Sequence, residues 1–319
     1  MNNELKKDKR KEFENEMRTY VGSTYPIAEQ SDDPALREIN VLYGVSDALS
    51  LKNAKKHRRI LLELSAVGTL LTMLFLLYDE AELYGLILAC GMMIIALFLI
   101  RFIADRSQCH RKYLEYRVLA EALRIQYYLY LAGMKERVTA LLPWSVRFEM
   151  PWIAECIAAL PEPDPKHREP VIGFWIKDQS EYHQLKLGQM MKKNRRDNRV
   201  AVITLVITIL TYVAAIGFEL YVFYHQTAID VSFVRAVIKV VVGTMSALTL
   251  FTANYYGKMS LPNVIDDHER MIALYQHVGE KINNEGESDE LILSLARECL
   301  NENSAWYAYQ KKNQPDLVI

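Results

Sequence analysis

The stretch Ile60 to Tyr78, ILLELSAVGTLLTMLFLLY, carries one charge, Glu63, in nineteen residues, and its reading decides the fold. A five-residue acidic break, Asp79-Glu80-Ala81-Glu82-Leu83, follows it. Then comes Tyr84 to Ile103, YGLILACGMMIIALFLIRFI, again with one charge, Arg101. About twenty apolar residues rising roughly 1.5 Å each match the roughly 30 Å hydrocarbon core of a bilayer. Neither stretch has the polar face that a helix on a soluble domain needs. Val200 to Tyr224 and Val231 to Tyr255 repeat the arrangement. The sequence therefore predicts an all-α integral membrane protein, with four transmembrane helices as two hairpins and long cytosolic helical extensions.

Average properties hide this pattern. The 38 basic and 39 acidic residues nearly cancel, because strongly charged segments dilute the apolar ones. That balance gives no electrostatic footprint for nucleic acid. The four cysteines, Cys90, Cys109, Cys156 and Cys299, are far apart and suit a reducing compartment. MNNELKKDKRKEFENEMR at the start has no apolar core, so it predicts an amino terminus that stays in the cytosol.

Orientation follows from basic residues beside the spans. Lys52, Lys55, Lys56, Arg58 and Arg59 precede the first span, and Arg106, Arg111 and Lys112 follow the second. Lys192, Lys193, Arg195, Arg196 and Arg199 precede the third, and Lys258 follows the fourth. Neither Asp79–Leu83 nor His225–Asp230 contains a Lys or Arg. The expectation is a multi-pass protein of the inner (plasma) membrane, with both termini and the central region cytoplasmic.

Outside the spans the chain divides as 1–34, a charged N-terminal arm; 35–160, the first hairpin with its cytosolic helices; 161–170, a linker; and 171–319, the second hairpin with its helices. Asp32, Asp33 and Pro34 signal a helix start. Helical pattern without Pro or Gly continues from Ala104 to Ala132, with a stripe at Leu114, Leu119, Leu123, Tyr127 and Tyr130 or Leu131, and Gly133 is a stop. Further helices are expected over Met134–Leu142, Pro151–Leu160, Trp175–Arg196 and Asp289–Asn301, the last followed by a tail. PEPDPKHREP, Pro161 to Pro170, is the linker. KKHRR at Lys55–Arg59 and KKNRR at Lys192–Arg196 each stand directly before a hairpin, as in a divergent parallel repeat.

Ionisable groups inside a membrane are costly, so Glu219, Arg235 and Lys239 are the first candidates for function. A hairpin brings their depths together. They serve either as a structural bridge that reaches the outer surface or as a polar site or pore constriction. Thr244, Ser246, Thr249, Thr252 and Asn254 form a hydroxyl and amide series that fits helix packing or pore lining. In the cytosolic part, Arg111, Lys112, Arg117 and Arg124 could meet an anionic ligand or form a solvated face. The seven histidines are scattered, Asp266-Asp267-His268-Glu269 reads as the charged first turn of a helix, and no phosphate loop or nucleophile motif occurs. No enzyme, metal or cofactor is expected.

Two segments carry a family resemblance. YLEYRVLAEALRIQYYLYLAG, Tyr113 to Gly133, leaves the first hairpin, and CLNENSAWYAYQKKNQPD, Cys299 to Asp316, follows the second. Both resemble the signature helix of SLATT domains, bacterial membrane effector domains associated with nucleotide-sensing SMODS and SLOG proteins. The resemblance covers about Ala35 to the end as two tandem units. It implies a homo-oligomeric effector of a nucleotide-linked antiviral or stress system that opens or perturbs the inner membrane, with a nucleotide-sensing or nucleotide-synthesising partner protein. The alternative is a non-conducting anchor whose cytosolic helices recruit a partner. It predicts that Glu219, Arg235 and Lys239 are satisfied within one subunit. A transporter is less consistent with spans that have no break at mid-membrane.

Overall fold

The computed structural model describes residues 2–27, 33–162, 171–225, 230–259 and 261–312. Among these, all regular structure is helical: α1 (Asn2–Thr19), α2 (Pro34–Glu80), α3 (Leu86–Ser107), α4 (Cys109–Leu131), α5 (Val138–Leu141), α6 (Trp144–Glu149), α7 (Pro151–Ala158), α8 (Val171–His225), α9 (Ser232–Met259), α10 (Leu261–Glu285) and α11 (Asp289–Lys311). Four helical stretches are long and apolar enough to cross a membrane, and they contain the four expected spans. The expected linker, Pro161 to Pro170, falls outside the described residues apart from 161 and 162.

Local chemistry accounts for the boundaries. The Asp33 side chain accepts the Ala35 backbone N–H at 2.7 Å and caps α2, with Pro34 opening the helix. Gly133, at a φ of 70°, closes α4 while Met134 N–H returns to the Leu129 carbonyl at 3.0 Å. Ser288 caps α11 by accepting Leu291 N–H at 3.2 Å, two residues after Gly286 at a φ of 86°. Three elements differ from expectation. The pattern running from Ala104 to Ala132 is broken at Gln108, which adopts a left-handed φ of 46° and ends α3 by bonding the Ala104 carbonyl. The helix expected over Met134–Leu142 is only the four-residue α5, followed by α6 after Pro143. The tail expected after Asn301 is instead the second half of α11, because Asn303, Ser304 and Tyr307 are buried and hold it helical.

The chain forms two compact units, each drawn from both halves of the sequence rather than divided near the linker. The first comprises 1–56, 109–189 and 263–314. Its centre is α4, with nineteen of its twenty-three residues buried. Aromatic contacts surround it. Phe13 of α1 meets Tyr116 edge-on at 5.3 Å and Trp152 at 5.8 Å, Trp175 stacks on Tyr128 at 4.9 Å, and Trp306 meets Tyr113 at 5.6 Å. The charged N-terminal arm is thus part of this core from Phe13, which is 3% exposed.

The second unit comprises 57–108 and 190–262. Its helices touch at fixed register. A Cβ on Gly68 would lie 2.5 Å from Phe251, one on Gly243 would lie 2.5 Å from Leu76, and Glu80 reaches Lys239. Contacts rise along α2 as they fall along α9, so these helices run antiparallel, and both glycines are needed for the close approach. α8 and α9 are also antiparallel, through Thr208 with Thr249, Tyr212 with Ser246 and Glu219 with Arg235. The apolar runs of these helices face outward, with Leu88, Phe98, Phe102, Leu210 and Phe223 all exposed.

Candidate functional site

All three ionisable candidates in α8 and α9 are paired within the chain. Arg235 donates twice to Glu219, from Nε to Oε1 at 2.9 Å and from Nη2 to Oε2 at 2.8 Å, a bidentate fork. Lys239 Nζ donates to Glu80 Oε2 at 2.8 Å rather than to Glu219. Glu80 is the last residue of α2, and Arg235 lies three residues after Ser232, where α9 starts. At 1.5 Å per residue, Glu219 and Lys239 are both about 10 Å from the ends of their helices, within reach of those ends for long side chains. The pairs therefore cluster at one end of the apolar helices and leave their middles uncharged. Clefts of about 530 Å³, along Ile216, Glu219, Phe223 and Arg235, and about 450 Å³, along Leu77, Glu80, Phe233 and Val237, lie beside the two pairs.

Two members of the hydroxyl and amide series are also taken up internally. Thr249 shares a 2.8 Å hydrogen bond with Thr208, and Thr208 also donates toward the Met245 carbonyl at 3.2 Å. Ser246 bonds Tyr212 and its own helix at Val242. The buried hydroxyl of Thr244 has no hydrogen-bond partner among the described residues. Packing between α8 and α9 thus accounts for Thr249 and Ser246.

In the first unit the four basic candidates are held by carboxylates. Arg111 pairs with Glu12 at 2.7 Å and Glu115 at 3.0 Å, and Lys112 pairs with Glu12 at 2.8 Å and with Glu16. Arg117 meets Asp47 at 2.9 Å and Glu121, and Arg124 meets Glu121. Arg124 is 9% exposed, which excludes a solvated face there. An anionic ligand would have to displace one of these carboxylates. Burial alone would push Glu121 up and Arg124 down, but Arg117, then Arg124, hold Glu121 below the usual carboxylate range, and Glu121 holds Arg124 up, so the cluster stays charged.

Sequence reasoning missed the polar groups beside this pair. His183 of α8 and His268 of α10 share an Nδ1···Nδ1 hydrogen bond of 2.9 Å, which requires at least one neutral ring. Burial, then His268 and Arg124, push His183 down to about 3, and burial, then Arg117 and Lys186, also lower His268. Burial pushes Glu302 of α11 up to about 7, with Glu121 and Asp267 adding to the rise. Glu121 sits between Arg117 and Arg124 at i+4 and i−3, a spacing that could have signalled the triad. The histidine contact joins residues eighty-five positions apart and has no sequence signal.

No protein-family model matches the chain, and no curated protein or solved structure matches it. No group of three or more metal-ligating side chains is present among the described residues.

Proposed function

We propose that the chain is a four-span membrane protein whose apolar helices form two hairpins and act as an anchor, while its helical body works in the cytosol as an interaction module. The observation that carries this reading is the closure of Glu219 on Arg235 and of Lys239 on Glu80 within one chain. Charges that satisfy each other near the outer helix ends leave no unpaired charge at the middle of α8 or α9 among the described residues for an ion to meet. The positive-inside pattern supports cytoplasmic termini in the plasma membrane. The SLATT resemblance of Tyr113–Gly133 and Cys299–Asp316 supplies the setting, a nucleotide-linked bacterial defence or stress system with a nucleotide-sensing or nucleotide-synthesising partner.

A second reading, a pore-forming effector assembled from several copies, is favoured by one feature. The Glu219, Arg235 and Lys239 side chains remain 51%, 44% and 60% exposed, so further copies could cover them. Overproduction of the chain and of Lys239→Met, with membrane polarisation followed by a voltage-sensitive dye, separates the two. The anchor reading expects full polarisation in both. Depolarisation by the parent that Lys239→Met abolishes would replace it with the pore.

A further inference from the structure

The groove that receives α1 has the chemistry of a peptide-binding site. Its floor is Tyr116 and Trp152, with Glu115 beneath accepting the Trp152 indole N–H at 3.1 Å. Its rim is Arg111 and Lys112. The helix that fills it uses one face only: Lys9 on Glu115 at 2.7 Å, Glu12 on Arg111 and Lys112, Phe13 against both rings, and Glu16 on Lys112. These four positions follow the i, i+3, i+4, i+7 spacing of a helix laid in a groove. Phe13, and Met17 packed against the same core, supply the apolar contacts, and Lys9, Glu12 and Glu16 supply the ionic ones.

The connection behind α1 is short and open. Val21 to Tyr25 are exposed and outside regular structure, and the chain is fixed again where Ile27 N–H donates to Asn40 Oδ1 at 2.6 Å. The seven residues Tyr20 to Pro26 can span roughly 25 Å when extended. A helix this polar has little reason to persist alone, and an empty groove would expose Tyr116 and Trp152 and take Lys9 away from Glu115, which keeps Arg111 and the Trp152 N–H. A released α1 is therefore best replaced by an identical α1. Copies held in one membrane supply it at high effective concentration.

We propose that this groove is an interaction surface between copies of the chain, with α1 of one copy docking on α4 and α7 of its neighbour. This rests on the membrane-anchored reading above and adds to it that the copies assemble. Every contact of the groove is preserved in the exchanged form, which makes exchange a low-cost route to assembly.

The test uses two differently tagged full-length copies, one Glu16→Cys and one Lys112→Cys, co-expressed and treated in membranes with a short bismaleimide. The expected result is a cross-linked product carrying both tags, lost when Phe13→Asp is added to the Glu16→Cys copy. Each single variant expressed with an unsubstituted copy controls for the natural cysteines. A Glu16→Cys/Lys112→Cys chain shows that the substituted groove still folds and docks α1. Cross-linking confined to that single chain would overturn the exchange. Co-purification of two unsubstituted tagged copies is scored separately. If they co-purify without a two-tag cross-link, the exchange alone fails, and if they do not co-purify, homo-oligomerisation fails with it.

Discussion

α4 and α9 are both long, proline-free helices of similar length, yet their burial is the reverse of their composition. α4 carries His110, Arg111, Lys112, Glu115, Arg117, Glu121 and Arg124 and buries nineteen of its twenty-three residues. α9 has a run of Val, Leu, Ala and Phe and has no buried residue. In water this would be unstable, because exposed apolar surface costs roughly 25 cal/mol per Å². The contrast makes sense when the two helices have different solvents. The surroundings of α4 are other side chains, which must neutralise each of its charges. The proposed membrane placement would give α9 an apolar medium, which asks only that its few charges pair.

The comparison can be broken most sharply at Glu121. Glu121→Ala leaves Arg124 buried without its carboxylate, and a loss of about 3–5 kcal/mol is expected for the first unit. Denaturant unfolding in detergent, followed by tryptophan fluorescence, reads it. A loss below about 1 kcal/mol would mean that α4 is hydrated like a surface helix.

pH sharpens the same contrast, since the titrating groups described are in the first unit. His183 is depressed from 6.5 to about 3 in the folded chain, so its stabilising share is present above 6.5 and is lost as pH falls toward 3. That loss amounts to about 2 kcal/mol at pH 5 by 1.36 kcal/mol per unit. Glu302 has the opposite sign. Raised from 4.5 to about 7, it favours the fold below 4.5 and loses that contribution as pH climbs to 7. His183→Asn should flatten the acid limb of a thermal-stability profile, and Glu302→Gln should flatten the limb between 4.5 and 7. A profile unchanged by both would remove these groups from the buried network.

In the second unit the expected effects are steric. Gly68→Ala places a Cβ 2.5 Å from Phe251, whereas Gly217→Ala meets nothing within 4 Å. The first should cost about 1–3 kcal/mol unless the ring moves aside, and the second should stabilise the helix by about 0.5–1 kcal/mol. Thermal stability in detergent compares the two, and equal effects would dissolve the α2–α9 seam. The smallest effect is expected at the surface: Lys311→Ala, breaking a half-exposed pair with Glu149, should change stability by less than about 1 kcal/mol in the same assay.

The long apolar runs, the acidic break at 79–83, the Asp33 cap and the Gly133 stop were all legible in the chain, because each depends on neighbours within a turn or two. Pairing at the ends of α8 and α9 was half legible. Glu219 with Arg235 follows from their depths, but Lys239 selects Glu80 of another helix, which local spacing does not encode. Arg111, Lys112, Arg117 and Arg124 show why charge pattern misleads in a densely packed helix. A basic residue in sequence looks the same whether water or a carboxylate ninety-six positions away receives it, as Glu16 does for Lys112.

What the sequence by itself determined is therefore the four long apolar helices and the charged segments between them, since apolar length and flanking charge are local sums. Only the tertiary structure decided the partners: Phe13 in the Tyr116–Trp152 groove, His183 on His268, and Gly68 under Phe251. Those choices depend on which distant surfaces fit together once the backbone is ordered, and shape and charge complementarity between remote segments leave no periodic trace in the chain.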